Sequence, residues 1–155
     1  MISSNDKKMQ LIQLMPMIRD CLDRGRNVTF RPGGVSMLPM LHPNEDEVIL
    51  SPLPERLHKY DLPLYRRDSG QFILHRVVKV EPQGYTMCGD NQYVLEPGLQ
   101  HSQMIALVTA FTHKGKTVSV RHPAYWLYCR IWCVSRPLRH LVWAVLSRLK
   151  RLVKP

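Results

Sequence analysis

Gly33-Gly34-Val35-Ser36-Met37-Leu38-Pro39-Met40 sets a single serine between two glycines and a proline. Glycine permits positive φ or a close approach of backbone to a ligand. Pro39 fixes its own φ and biases Leu38 towards an extended conformation. The stretch predicts a stiff, exposed turn presenting Ser36, with Met37 and Met40 lining an apolar groove. Read alone, it is also compatible with an ordinary Gly/Pro turn carrying a solvated serine.

The segments on either side read as β structure. A short strand over 27–31 leads into the turn. Val48-Ile49-Leu50 forms the next strand, and Pro52 and Pro54 end it. Asp68-Ser69-Gly70 signals a hairpin. Gln71 to Val80 is expected as the longest strand, and it carries His75. Glu81-Pro82-Gln83-Gly84 turns the chain into a strand over 85–88. Gly89-Asp90-Asn91 is a tight turn, and strands over 104–113 and 117–120 complete the pattern. Such short strands with regular turns predict a mainly β fold: a compact, coiled β domain with an N-terminal helix and a C-terminal amphipathic helical tail. The corresponding regions are 1–26, 27–122 and 123–155.

The N-terminal helix is expected over 7–24, because Leu11, Leu14, Met15, Ile18, Cys21 and Leu22 recur at three- and four-residue steps. Pro16 should kink or split it, and Gly25 should stop it. In the tail, Leu127, Ile131, Val134, Leu138, Leu141, Val142, Val145, Leu149 and Leu152 form one helical stripe, and Pro137 divides it into two helices.

Three motifs occur in order: Gly-x-Ser-Met-x-Pro at 34–39, Leu74-His75-Arg76-Val77-Val78, and Gly89-Asp90-Asn91. Together they resemble the signal peptidase I and LexA-like serine peptidase superfamily. The match is closest to its histidine-base branch, that of the endoplasmic-reticulum-type signal peptidases, and covers about residues 28 to 112. The resemblance implies a serine endopeptidase that cleaves signal or leader peptides after small residues, with no metal and no organic cofactor. Two other classes stay open: a catalytically silent peptide-binding β domain, and a membrane-surface adaptor that acts through its tail.

The chemistry agrees with the residue types. A serine hydroxyl needs a neighbouring base to become a nucleophile. His75 suits that role, since imidazole titrates near neutral pH; activity is then expected to fall as pH drops through about 6 to 7. Lys79 lies too far along the strand to serve the same serine. A histidine base wants an acid behind it, and Asp90 and Glu96 are both candidates. The resemblance places the family's aspartate slightly after the Gly-Asp-Asn turn, nearest Glu96. It also implies a glycine where Tyr60 stands. Many relatives carry a helping serine where this chain has Gly34, so backbone N–H groups at the Ser36 turn are left to form the oxyanion hole.

The formal charge is +10, but it is uneven. From Arg121 onward there are eight basic residues and no Asp or Glu, so the basicity belongs to the tail. Basic residues, Trp and Leu on an amphipathic helix predict peripheral attachment to a membrane surface, with a cytoplasmic location as the runner-up. No nucleic-acid partner is expected, because the β region lacks an aromatic platform. Asp6, Lys7, Lys8, Gln10 and Gln13 interrupt the N-terminus, so neither a signal peptide nor a transmembrane span is expected. Cys21, Cys88, Cys129 and Cys133 show no Cys-x-x-Cys spacing, so free thiols and no zinc site are expected.

Overall fold

Hydrophobic alternation along the short strands decides which faces are buried. The computed structural model describes the backbone of residues 4–153 and the side chains of residues 11–145. The fold is mainly β, with two antiparallel sheets and three helices. In the larger sheet the strands are β1 (Val28–Phe30), β2 (Val48–Ser51), β8 (Met104–His113), β3 (Pro63–Arg66) and β4 (Phe72–Leu74), in that spatial order. β9 (Lys116–Ser119) pairs with the far end of β8. The smaller sheet holds β5 (Arg76–Glu81), β6 (Gly84–Cys88) and β7 (Glu96–Leu99).

The longest strand is β8, with 10 residues, and not the expected run over 71–80. That run breaks at His75. β4 ends at Leu74 in the larger sheet and β5 begins at Arg76 in the smaller one. His75 therefore occupies the crossing between the sheets, where the backbone leaves one ladder before joining the next. β7 lies in Glu-Pro-Gly-Leu, a sequence poor in strand formers. Its pairing with β6, Met87 opposite Glu96 and Tyr85 opposite Leu99, overrides that propensity.

Two apolar cores follow from the two sheets. Leu64 points into the first, with Met37, Met40, Leu41, Val48, Leu50 and Val108. Its neighbour Tyr65 points into the second, with Leu57, Val77, Tyr85, Met87 and Met104. Successive strand side chains face opposite ways, so β3 feeds both cores. Met37 and Met40 are 3% and 7% exposed. They anchor the serine turn to the core and do not line a groove, because the turn folds both thioethers inward.

α1 (Ser4–Asp23) runs continuously through Pro16. It buries Met15, Ile18 and Leu22 and leaves Ile12, Leu14 and Met17 exposed. Gly25, at φ 72°, closes it. Its N–H donates to the Leu22 carbonyl, and the Arg26 N–H to that of Cys21, as a glycine-terminated helix requires.

The tail divides as expected into α2 (Pro123–Val134) and α3 (Arg136–Val153). His122 caps α2 by accepting the Ala124 N–H, with Pro123 at its first turn. α2 buries Tyr125 and Cys129 in the first core. The side chains of Arg148, Leu149, Lys150, Arg151, Leu152 and Lys154, and those of Asp6, Lys7, Lys8 and Gln10, lie outside the described residues. No helix among the described residues is long and apolar enough to cross a membrane. The four cysteines are free thiols.

Candidate active site

The Gly-Asp-Asn turn brings the three motifs together. The Asn91 N–H donates to the Ser36 carbonyl at 2.8 Å, and Asn91 Nδ2 donates to the Val35 carbonyl at 3.3 Å. A Cβ placed on Gly89 would lie 2.6 Å from the Ser36 carbonyl oxygen and 3.1 Å from His75 Nε2. One absent methyl group thus lets the serine turn and the histidine share a wall. Here glycine serves close approach. Gly33 and Gly34 do not adopt the positive φ that the sequence allowed, and a Cβ on Gly34 would meet open space.

Ser36 is half-buried in a turn over 35–40 that includes a cis Leu38–Pro39 bond. Its hydroxyl makes no hydrogen bond among the described residues, and none joins it to His75. The Ser36 and Met37 N–H groups find no backbone acceptor there either. These are the donors an oxyanion hole needs.

His75 is 3% exposed. Behind it lies a relay that ends on an arginine. Tyr65 Oη is 3.2 Å from His75 Nδ1 and donates to Glu96 Oε2 at 2.9 Å. Arg67 grips Glu96 with two bonds of 2.6 Å, from Nε to Oε1 and from Nη2 to Oε2. The tautomer follows from this chain. A carboxylate only accepts, so the Tyr65 proton goes to Glu96 and the Tyr65 oxygen is left to accept from Nδ1–H. The Nε2 lone pair then faces Gly89 and the Ser36 turn, as a general base requires.

Burial pulls the His75 pKa down to about 4; the Glu96 charge opposes this and the Arg67 charge assists it. His75 is therefore neutral throughout the physiological range. Burial works against the Glu96 charge, but the Arg67 fork and the Tyr65 hydroxyl outweigh it and hold Glu96 below the ordinary carboxylate range. Burial and the adjoining Glu96 push the Tyr65 hydroxyl well above its usual value, so it remains a donor.

The two candidate acids have separate environments. Glu96 Oε2 lies 3.9 Å from His75 Nδ1, with Tyr65 bridging the two. Asp90 is fully buried and forms a two-point pair with Arg76, Nε to Oδ1 at 2.8 Å and Nη2 to Oδ2 at 2.7 Å. Arg76 Nη1 donates to the Tyr60 carbonyl, the Tyr125 hydroxyl and Cys129 Sγ. Tyr128 donates to Asp90 Oδ2, and Trp132 Nε1 to the Asp90 carbonyl. The pair thus ties the Gly-Asp-Asn turn to α2. Lys79 is exposed and paired with Glu81 at 2.6 Å.

No family model, curated protein or solved structure matches this chain.

Sequence reasoning missed Tyr65, Arg67 and the α2 partners of Asp90. Tyr65 sits in an ordinary strand with no motif around it. Only the register of β3 against β4, Tyr65 opposite Ile73, carries it to the end of β4 beside His75. Arg76 did have a signal: a charged side chain inside an apolar strand demands a buried partner. Two surface hollows, one lined by Tyr60, Tyr125 and Arg130 and the other by Pro16, Arg66 and Phe72, include neither Ser36 nor His75.

Proposed function

We propose that this chain is a serine endopeptidase of the signal-peptidase type, in which Ser36 is the nucleophile and His75 the general base. The observation that carries the reading is the convergence on Gly89: the Ser36 carbonyl and His75 Nε2 lie within one methyl group's reach of the same Cα substituent. Two segments far apart in sequence are held at that distance by a third.

In the proposed reaction His75 Nε2 takes the Ser36 proton as Oγ attacks the scissile carbonyl. The Tyr65–Glu96–Arg67 chain holds the ring and stabilises the imidazolium that forms. The Ser36 and Met37 N–H groups receive the developing oxyanion. His75 then protonates the leaving amine, and water repeats the sequence to release the acyl group. The missing Ser36–His75 hydrogen bond accords with this, because such bonds often tighten only when substrate binds. The substrate is a signal or leader peptide cut after small residues. It would lie extended beside Gly34, where a side chain would meet open space and the neighbouring Val35 is exposed.

Attachment to a membrane surface belongs to the same proposal. Leu127, Ile131, Val134, Leu138, Leu141, Val142 and Val145 are all about half exposed or more. They continue one apolar stripe from α2 into α3 on a basic tail, the pattern of a helix lying in a lipid interface.

The test is cleavage of a peptide library containing small-residue sites by wild type, Ser36→Ala and His75→Ala. Cleavage by wild type alone, with labelling of Ser36 by a serine-acylating probe, supports the dyad. Labelling that persists in Ser36→Ala sinks it.

A further inference from the structure

Beyond the serine site, a second group of side chains converges where the serine loop meets the end of β8. We propose that His42, Asp46 and His113 form a binding site for a divalent transition ion of the zinc class. Each offers one ligand atom, and these atoms all lie within 4.8 Å of one another. His42 Nδ1 is 3.4 Å from Asp46 Oδ2, and His113 Nδ1 is 3.2 Å from the same oxygen. Ligand bonds of about 2.0–2.1 Å to a tetrahedral zinc ion put neighbouring ligand atoms about 3.3 Å apart. The two separations match the edges of such a site, and they are now spanned by imidazole–carboxylate contacts whose Nδ1 protons an entering ion would displace to solvent. The imidazole centroids are 5.5 Å apart and tilted by 35°, so the rings flank the carboxylate without stacking over it.

The backbone holds all three ligands in place. Asp46 Oδ2 accepts the His42 N–H at 2.9 Å, and the Asp46 N–H donates to the His42 carbonyl at 3.1 Å. The turn is clamped to β8 by Thr112 N–H to the Glu47 carbonyl and by Glu47 N–H to Thr112 Oγ1, both 2.8 Å. His113 is thereby delivered beside Asp46 from 67 residues away. Asp46 is 6% exposed, whereas the two imidazoles are 41% and 34% exposed. The carboxylate forms the floor and the open side admits an ion, with water to complete its coordination.

The donor set selects the ion class. Two imidazoles with one carboxylate suit zinc and its first-row neighbours, whereas magnesium and calcium prefer oxygen alone. The absence of a short metal-binding spacing in the sequence does not bear on this site, because two ligands come from one turn and the third from a distant strand. An ion there would pin the loop that runs on from Ser36 to the β8–β9 hairpin. Its role is to hold that loop, separate from the serine chemistry, so the site stands or falls independently of the proposed peptidase activity.

The test is calorimetric titration of the chelator-treated full chain with Zn2+, and optical titration with Co2+. The expected result is about one ion per chain, with Co2+ giving the visible bands of a low-coordinate site. His42→Ala and His113→Ala should each weaken binding by more than the roughly 10–100-fold that loss of an outer-shell partner causes. His58→Ala, an exposed imidazole elsewhere, should leave it unchanged. His42→Gln keeps a donor towards Asp46 but lacks the imidazole, so it separates loss of a ligand from loss of the turn. Circular dichroism verifies folding of each variant. No binding by wild type, or binding that survives in both alanine variants, overturns the proposal.

Discussion

At Gly89 a single hydrogen in place of a methyl group decides whether the site can assemble. Gly89→Ala would drive Cβ into the Ser36 carbonyl at 2.6 Å and towards His75 Nε2. The expected outcome is overpacking that costs about 1–3 kcal/mol in urea midpoint measurements, together with loss of peptide cleavage. Tyr65→Phe probes the other side of His75. It removes the acceptor for Nδ1–H while keeping the ring. The variant should lose part of the about 10²–10⁴ that general-base catalysis supplies, in kcat with KM unchanged. A KM effect alone would show that Tyr65 only shapes the groove. The pH profile sets a sharper test. Because burial holds the His75 pKa at about 4, the acid limb of kcat/KM should fall near pH 4 and not at the 6 to 7 expected for a solvated imidazole.

Strand junctions and turns carry the next level of constraint. His75 occupies the break between β4 and β5, so its backbone is free of both ladders while its flanks are fixed by them. The register of β3 against β8 shifts between Leu64 and Tyr65, the point at which β3 passes from the first core to the second. Tyr60 replaces a glycine that the family resemblance implied, yet it keeps a left-handed φ of 81°. Its N–H donates to Val77, its carbonyl accepts from Arg76, and the Arg130 guanidinium stacks on its ring at 5.0 Å. Those contacts offset strain of about 1–2 kcal/mol. Lys114, at φ 49° before Gly115 at φ 76°, sits in the β8–β9 hairpin turn, with no side-chain hydrogen bond or ring contact among the described residues. Lys114→Asn should therefore raise the thermal midpoint, by about 0.5 kcal/mol of stability, since asparagine tolerates that conformation better.

Across the whole molecule, the buried Arg76–Asp90 pair joins elements that share no sheet. It links the serine turn through Met40, the Gly-Asp-Asn turn through Asp90 itself, and α2 through Tyr125, Tyr128 and Cys129. Asp90→Ala leaves a fully buried guanidinium without its counter-charge. The expected cost is about 3–5 kcal/mol, read by denaturant unfolding, with increased protease sensitivity in α2. Global stability also responds to His75. In the folded chain it stays neutral down to about pH 4, whereas an unfolded histidine titrates near 6.5. Between those values the unfolded state binds the extra proton. Stability should therefore fall as pH drops below 6.5, level off below about 4, and be unaffected by this group above 6.5. Comparing the pH dependence of wild type with His75→Gln isolates the effect.

Local chemistry made much of this legible in the sequence. Val48-Ile49-Leu50 and the apolar run over 104–113 are strands by composition alone, and Gly25, Gly70 and Gly115 mark stops and turns because only their backbones take positive φ readily. Pro137 divides the tail because proline cannot continue a helix interior. Ser36 and His75 were visible as candidates through their motifs. What sequence could not decide was which carboxylate faces the histidine, since Asp90 lies in the Gly-Asp-Asn turn and Glu96 only a few residues after it. Pairing settles their surroundings: β6 against β7 places Glu96 by Tyr65 and Arg67, while the buried Arg76 claims Asp90. Tyr65, the inward-facing methionines and the His42–Asp46–His113 cluster also depend on register and packing between distant segments. A local pattern fixes the direction of a side chain relative to its own strand; only the assembled sheets determine what lies opposite it.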